Sequence, residues 1–172
     1  MPSTLRSPSQ PRGLSSLSPS DFEKVKDANL LADRVAVLTR LMIQRGGIVI
    51  EENPKTSHIW QLPSRQELLS RNDVEEQIVD LCAFGAPHRA RTRLLCVNLG
   101  APSWPNCACF GRGVCDFTKE AHQQLRGKAG SQCATKQKSA LPLGLCRCLA
   151  KFLVSRKVTG IATERWKRMK GD

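Results

Sequence analysis

The sequence predicts an α/β fold: a partial three-layer sandwich with a mostly parallel sheet, preceded by a disordered N-terminal leader and followed by a basic C-terminal tail. Three observations carry this expectation. A stretch with 3.6-residue apolar spacing ends at a double glycine and passes straight into Ile48-Val49-Ile50, which reads as helix, tight turn and a strand buried on both faces. Two more short apolar segments, 77–82 and 94–99, follow with turn-forming residues between them. The length, 172 residues, accommodates one domain of roughly 100–150 residues with tails.

The leader, residues 1–19, is rich in Ser and Pro and has no apolar segment, so it is not a secretory signal and reads as disorder. It is basic and free of acid, as an organellar transit peptide is, but it lacks the amphipathic pattern of one. Ser20 followed by Glu23 makes a capping-box pattern, which predicts a helix from there to about residue 45. Leu31, Val35, Leu38 and Met42 recur at helical spacing and form its expected apolar face, and Gly46 and Gly47 stop it. Ser64 with Glu67 repeats the capping pattern ahead of a short helix over 65–70. A strand over 77–82 is broken at Phe84-Gly85-Ala86-Pro87, and a third strand occupies 94–99. Residues 20–99 are thus the expected α/β core. Residues 100–140 show no period and form a Cys-rich irregular segment. Helical spacing returns over 141–156, with Leu145, Leu149, Phe152 and Leu153 on one side, before the basic tail at 157–172.

Lys and Arg number 27 against 15 Asp and Glu, a net charge of +12, which favours polyanionic partners such as nucleic acid. The excess is concentrated late in the chain: residues 21–81 hold eight basic and eleven acidic groups, and residues 123–172 hold twelve and two. No run approaches the roughly 18 apolar residues of a membrane span, so no membrane partner is expected. Eight cysteines without a secretory signal point to a reducing compartment, nuclear or cytoplasmic, where thiols stay free or bind metal.

Four constellations could carry chemistry. Glu52-Asn53-Pro54 follows the first strand, where ligands of open α/β sheets bind; a carboxylate there can accept a hydrogen bond from a base amine or be a solvated loop charge. Arg89, Arg91 and Arg93 alternate into the third strand and share a face; such a row meets phosphate, base edges or acidic side chains, or guards an exposed edge. Cys107, Cys109, Cys115 and His122 supply three thiols and one imidazole, a sufficient set for tetrahedral zinc, with Cys133, Cys146 or Cys148 as replacement ligands. The spacing matches no common zinc finger, and free thiols are the plain alternative. At the basic end, Lys167, Arg168 and Lys170 flank Trp166 and could track phosphates while the indole stacks on a base.

Glu52-Asn53-Pro54, a spacer of about thirty residues, then Phe84-Gly85-Ala86-Pro87 with alternating arginines and a strand, resembles the distal half of the catalytic domain of cytosine-5 DNA methyltransferases. The chain is also similar to a group of reading frames from protist genomes, often beside mobile elements. They share the patterns standing here as Glu52-Asn53-Pro54-Lys55-Thr56-Ser57-His58-Ile59-Trp60 and Cys82-Ala83-Phe84-Gly85-Ala86-Pro87-His88-Arg89-Ala90-Arg91-Thr92-Arg93-Leu94-Leu95. The resemblance implies a class I fold, base contact by Glu52 with Asn53 and Pro54 shaping its pocket, and base or backbone contact by Arg89 and Arg91. The family's nucleophilic Cys and glycine-rich loop have no counterpart, because no cysteine precedes Cys82, and Ala90 and Thr92 occupy the family's arginine places. The resemblance therefore implies a methyltransferase-like fragment that is inactive as the chain stands, with S-adenosylmethionine as cofactor only if a missing half supplies its site. The alternatives are a non-enzymatic nucleic-acid-binding module organised by zinc, and a decayed mobile-element fragment without function.

Overall fold

The computed structural model describes residues 5–99, 104, 107–124, 128–129, 132–133 and 140–155. The chain divides into two compact units, one comprising Met1–Glu76 and Leu95–Gly100, the other Gln77–Leu94 and Ala101–Asp172. In chain order the elements are α1 (Pro19–Gln44), β1 (Val49–Pro54), a 3-10 turn at His58–Gln61, α2 (Pro63–Leu69), β2 (Val74–Asp80), a 3-10 turn at Leu81–Phe84, β3 (Arg91–Val97), the short strands β4 (Lys128–Ala129) and β5 (Gln132–Cys133), and α3 (Leu143–Ser155). No helix among the described residues is long and apolar enough to cross a membrane.

The fold is mixed α/β, but its three-stranded sheet, in the order β1-β3-β2, is antiparallel and corrects the expectation of a mostly parallel sheet. The connection explains it. Only residues 81–90 separate β2 from β3, fewer than the dozen or more that a parallel crossover takes. The Leu81 N–H donates to the Ala90 carbonyl at 2.9 Å and closes this loop. The continuous apolar run that suggested a strand buried on both faces belongs to β1, an edge strand in which only Glu51 is buried. The doubly covered strand is the central β3, where Leu94, Leu95, Cys96 and Val97 are all inaccessible.

In the first unit, α1 is capped two residues earlier than its Ser20 signal. The Ser18 hydroxyl oxygen accepts the Asp21 N–H and Pro19 takes the first turn, where its missing N–H costs nothing. The buried face is also different: Val25, Ala32, Ala36 and Thr39 point inward, whereas Leu31, Leu38 and Met42 are 64%, 61% and 45% exposed. The period is helical as expected, but the small residues face α2 and β1, which α1 contacts.

Within residues 5–18, Arg6 and Arg12 reach α1. The Arg6 guanidinium donates to the Asn29 side chain at 2.8 Å and the Val25 carbonyl at 3.3 Å, and Arg12 forms a two-pronged pair with Asp33 at 2.7 and 3.1 Å. Both arginines of this basic stretch thus find acceptors on α1. The unit's core joins Trp60, Leu68, Leu95 and Val97, flanked by Ile43 and Val49, and the Trp60 indole donates to the Pro54 carbonyl at 2.9 Å. Burial of a Trp with its N–H satisfied is among the larger single contributions a core of this size can hold.

Candidate metal centre

The second unit is organised around Asp80, the last residue of β2, which is fully buried. Its N–H donates to the Cys107 carbonyl at 2.9 Å, and its carboxylate accepts the Cys109 N–H at 2.7 Å. The same carboxylate takes Arg91 in a two-pronged pair, Nε at 3.1 Å and Nη2 at 2.9 Å, with Arg89 Nε 3.7 Å away. Burial by itself would raise the carboxyl, but Arg91, the Cys109 N–H and the charge of Arg89 together hold it below the ordinary Asp value. One buried carboxylate therefore anchors the arginine row and the first cysteine loop.

Cys82 lies in the 3-10 turn directly after β2, buried. From Cys109 the chain turns back through Gly111, where a β-carbon would run into the Val114 carbonyl, so only glycine fits. The Asp116 carboxylate accepts the N–H groups of Phe110 and Gly111 at 2.6 and 2.9 Å and fixes this turn. Beyond it a small hairpin forms. Val114 pairs with Ala121, the Cys115 N–H donates to the Glu120 carbonyl at 2.7 Å, and the His122 N–H donates to the Gly113 carbonyl at 3.2 Å. The Gln123 N–H then ties the hairpin to the Pro87 carbonyl at 2.9 Å.

These local constraints converge. The Sγ atoms of Cys82, Cys109 and Cys115 and a ring nitrogen of His122 all lie within 4.8 Å of one another, and Cys109 Sγ is 3.6 Å from His122 Nε2. A tetrahedral zinc with bonds of about 2.3 Å to sulfur and 2.0 Å to nitrogen has ligand-to-ligand edges near 3.5 Å. The cluster could hold a metal ion. The three thiols are shielded from water, and the Cys82 thiol is pushed up to about 12, first by burial and then by hydrogen bonding with Cys115 and Cys109. At Cys115 burial acts in the same upward sense. It is outweighed by the N–H and hydroxyl of Thr118, the Phe117 N–H and the Cys82 thiol, which bring Cys115 down to about 6. Hydrogen bonding thus favours the thiolate form at Cys115 and burial disfavours it at Cys82.

Of the four ligands the sequence suggested, Cys109, Cys115 and His122 come together and Cys107 does not; Cys82 completes the set. The one-residue spacing accounts for this, because on extended backbone Cys107 and Cys109 point to opposite sides and one of them faces away. Among the replacements considered, Cys146 and Cys148 lie on α3 outside the cluster, and the side chain of Cys133 lies outside the described residues. The sequence held one clue to Cys82: it stands at the end of a strand, next to the turn that the arginine row follows.

The other expected sites are distributed differently. In the first unit Glu51, not Glu52, is the buried carboxylate: it accepts the Thr39 hydroxyl at 2.6 Å and pairs with the fully buried Arg65 at 2.7 Å. Glu52 and Asn53 line a cleft of about 360 Å³ with Ile50, Ile59 and Leu31, and Pro54 ends β1, its carbonyl held by Trp60. Arg89 and Arg91 meet an acidic side chain, Asp80, and Arg93 is half-buried. Lys167, Arg168 and Lys170 lie outside the described residues.

Charge separates the two units. The first contains ten basic and ten acidic residues, and the second seventeen and five, so the whole net charge of +12 belongs to the unit that holds the cluster. No protein-family model, curated protein or solved structure matches the chain.

Proposed function

We propose that the chain is a non-enzymatic nucleic-acid-binding module whose second unit is held together by zinc. The observation that carries this reading is the cluster of Cys82, Cys109, Cys115 and His122. Three soft thiolates and an imidazole suit zinc among the common divalent ions. Four protein ligands fill a tetrahedral sphere and leave no position for the water or substrate of a catalytic zinc, so the metal's role is structural. A structural zinc contributes folding energy directly, which suits a unit with short, irregular loops around a small buried cluster. The concentration of positive charge in this unit supports a polyanionic partner.

Metal analysis of protein purified without added metal tests the reading, with about one zinc per chain expected. Cys82→Ser and Cys109→Ser should each lose the zinc and lower the melting temperature, whereas Cys107→Ser should keep both at wild-type values. Retention of zinc by Cys82→Ser, or full stability after chelation, would remove the basis of the proposal. Binding to a labelled oligonucleotide should weaken linearly in log Kd against log salt as phosphate-bound counterions are released.

A further inference from the structure

We infer that the loop carrying Cys109 and Cys115 recognises unpaired nucleobases by stacking them on Phe110 and Phe117, an inference that rests on the nucleic-acid reading above. Phe110 is 70% exposed and Phe117 is 40% exposed, although they stand one and two residues after the buried Cys109 and Cys115. Their exposure is built in. The Phe110 N–H is fixed by the Asp116 carboxylate, and Phe117 sits in the turn closed by the Cys115–Glu120 and Lys119–Cys115 backbone hydrogen bonds. A ring presented on fixed backbone loses little freedom when a second flat surface stacks on it, and every base offers such a surface.

The same loop supplies Arg112 and Lys119, both exposed, to meet the flanking phosphates. Of its two acids, Asp116 is turned into the loop's own N–H groups and only Glu120 is left without such a use. Duplex bases already stack on one another and cannot reach the rings. Single strands can, whether DNA or RNA.

The test uses the full chain loaded with zinc and three labelled probes of about 12 nucleotides: a mixed pyrimidine DNA strand, the same strand as RNA, and the DNA duplex. Wild-type protein should bind one or both single strands at least tenfold more tightly than the duplex. Phe110→Ala and Phe117→Ala should each weaken single-strand binding about fivefold or more and leave duplex binding, zinc content and melting temperature unchanged. Phe110→Trp should restore binding and show indole fluorescence quenched by the strand. Preference for RNA or DNA identifies the natural source of the bases. Equal binding of strand and duplex, with both alanine variants indistinguishable from wild type, overturns stacking and leaves the nucleic-acid reading standing. Failure to bind any probe at low salt overturns both. Loss of zinc in the alanine variants, together with an unquenched Phe110→Trp, would make the rings structural and likewise overturn the inference.

Discussion

Asp80 shows how much a single side chain can settle. Its carboxylate accepts from Arg91 and from the Cys109 N–H and attracts Arg89, so it neutralises part of the arginine row while holding a cysteine for the cluster. Breaking a buried ion pair by removing one partner costs about 3–5 kcal/mol. Arg89 and Arg91 are partly exposed and water can take over some of their loss, so we expect Asp80→Asn to destabilise by about 2–4 kcal/mol in urea unfolding at pH 7. Because the folded carboxyl is held below its unfolded value, the wild-type advantage should be fully present above the unfolded pKa of about 3.9 and should fade as pH falls through the lower folded value. A difference under about 0.5 kcal/mol at pH 7 would mean that Asp80 is not the anchor the geometry makes it. Glu51 and Arg65 form the corresponding pair in the first unit, more deeply buried and supported by the Thr39 hydroxyl.

Among the elements, α1 gives the sharpest test, because composition and structure assign its inner face to different residues. Ala36 is buried while Leu38 is 61% exposed. Ala36→Leu should therefore cost about 1–3 kcal/mol by overpacking, and Leu38→Ala should stay within about 0.5 kcal/mol of wild type. Thermal melts giving the reverse order would restore Leu31, Leu38 and Met42 as the core face. The helices were legible because a 3.6-residue period and an N-terminal Ser or Pro are local signals. The inner face of α1 was not, since it follows from how closely α2 and β1 approach, which favours Ala over Leu. Strand direction was misread for a related reason: an apolar run signals burial, and direction is set by the ten-residue connection from β2 to β3. Three members of the candidate metal cluster were visible in one stretch of sequence. The fourth, Cys82, lies 27 residues before Cys109 and joins them only because Asp80 brings β2 to that loop.

The whole molecule combines a charge-balanced unit with a strongly basic one. Their stabilising devices differ as well: an aromatic and aliphatic core around Trp60 in the first, and a buried carboxylate and a thiol cluster in the second. Hydrogen exchange on the intact chain should register this division. On chelation, amides over 109–122 should lose protection, while those of α1 around Ala32 and Ala36 keep theirs. Simultaneous loss in both regions would show that the metal stabilises the chain as one cooperative block.

The spread of the ligand set along the chain also sets an order of events during synthesis. Cys82 leaves the ribosome forty residues ahead of His122, a delay of several seconds at about 5–20 residues per second. Until His122 emerges the cluster itself can offer an incoming ion at most its three thiols, and an ion held by them alone keeps one position open to exchange. The complete ligand sphere, and the loop from Cys82 to His122 that it closes, can form only once His122 has emerged. Nascent chains stalled before and after that residue should therefore hold zinc with very different residence times.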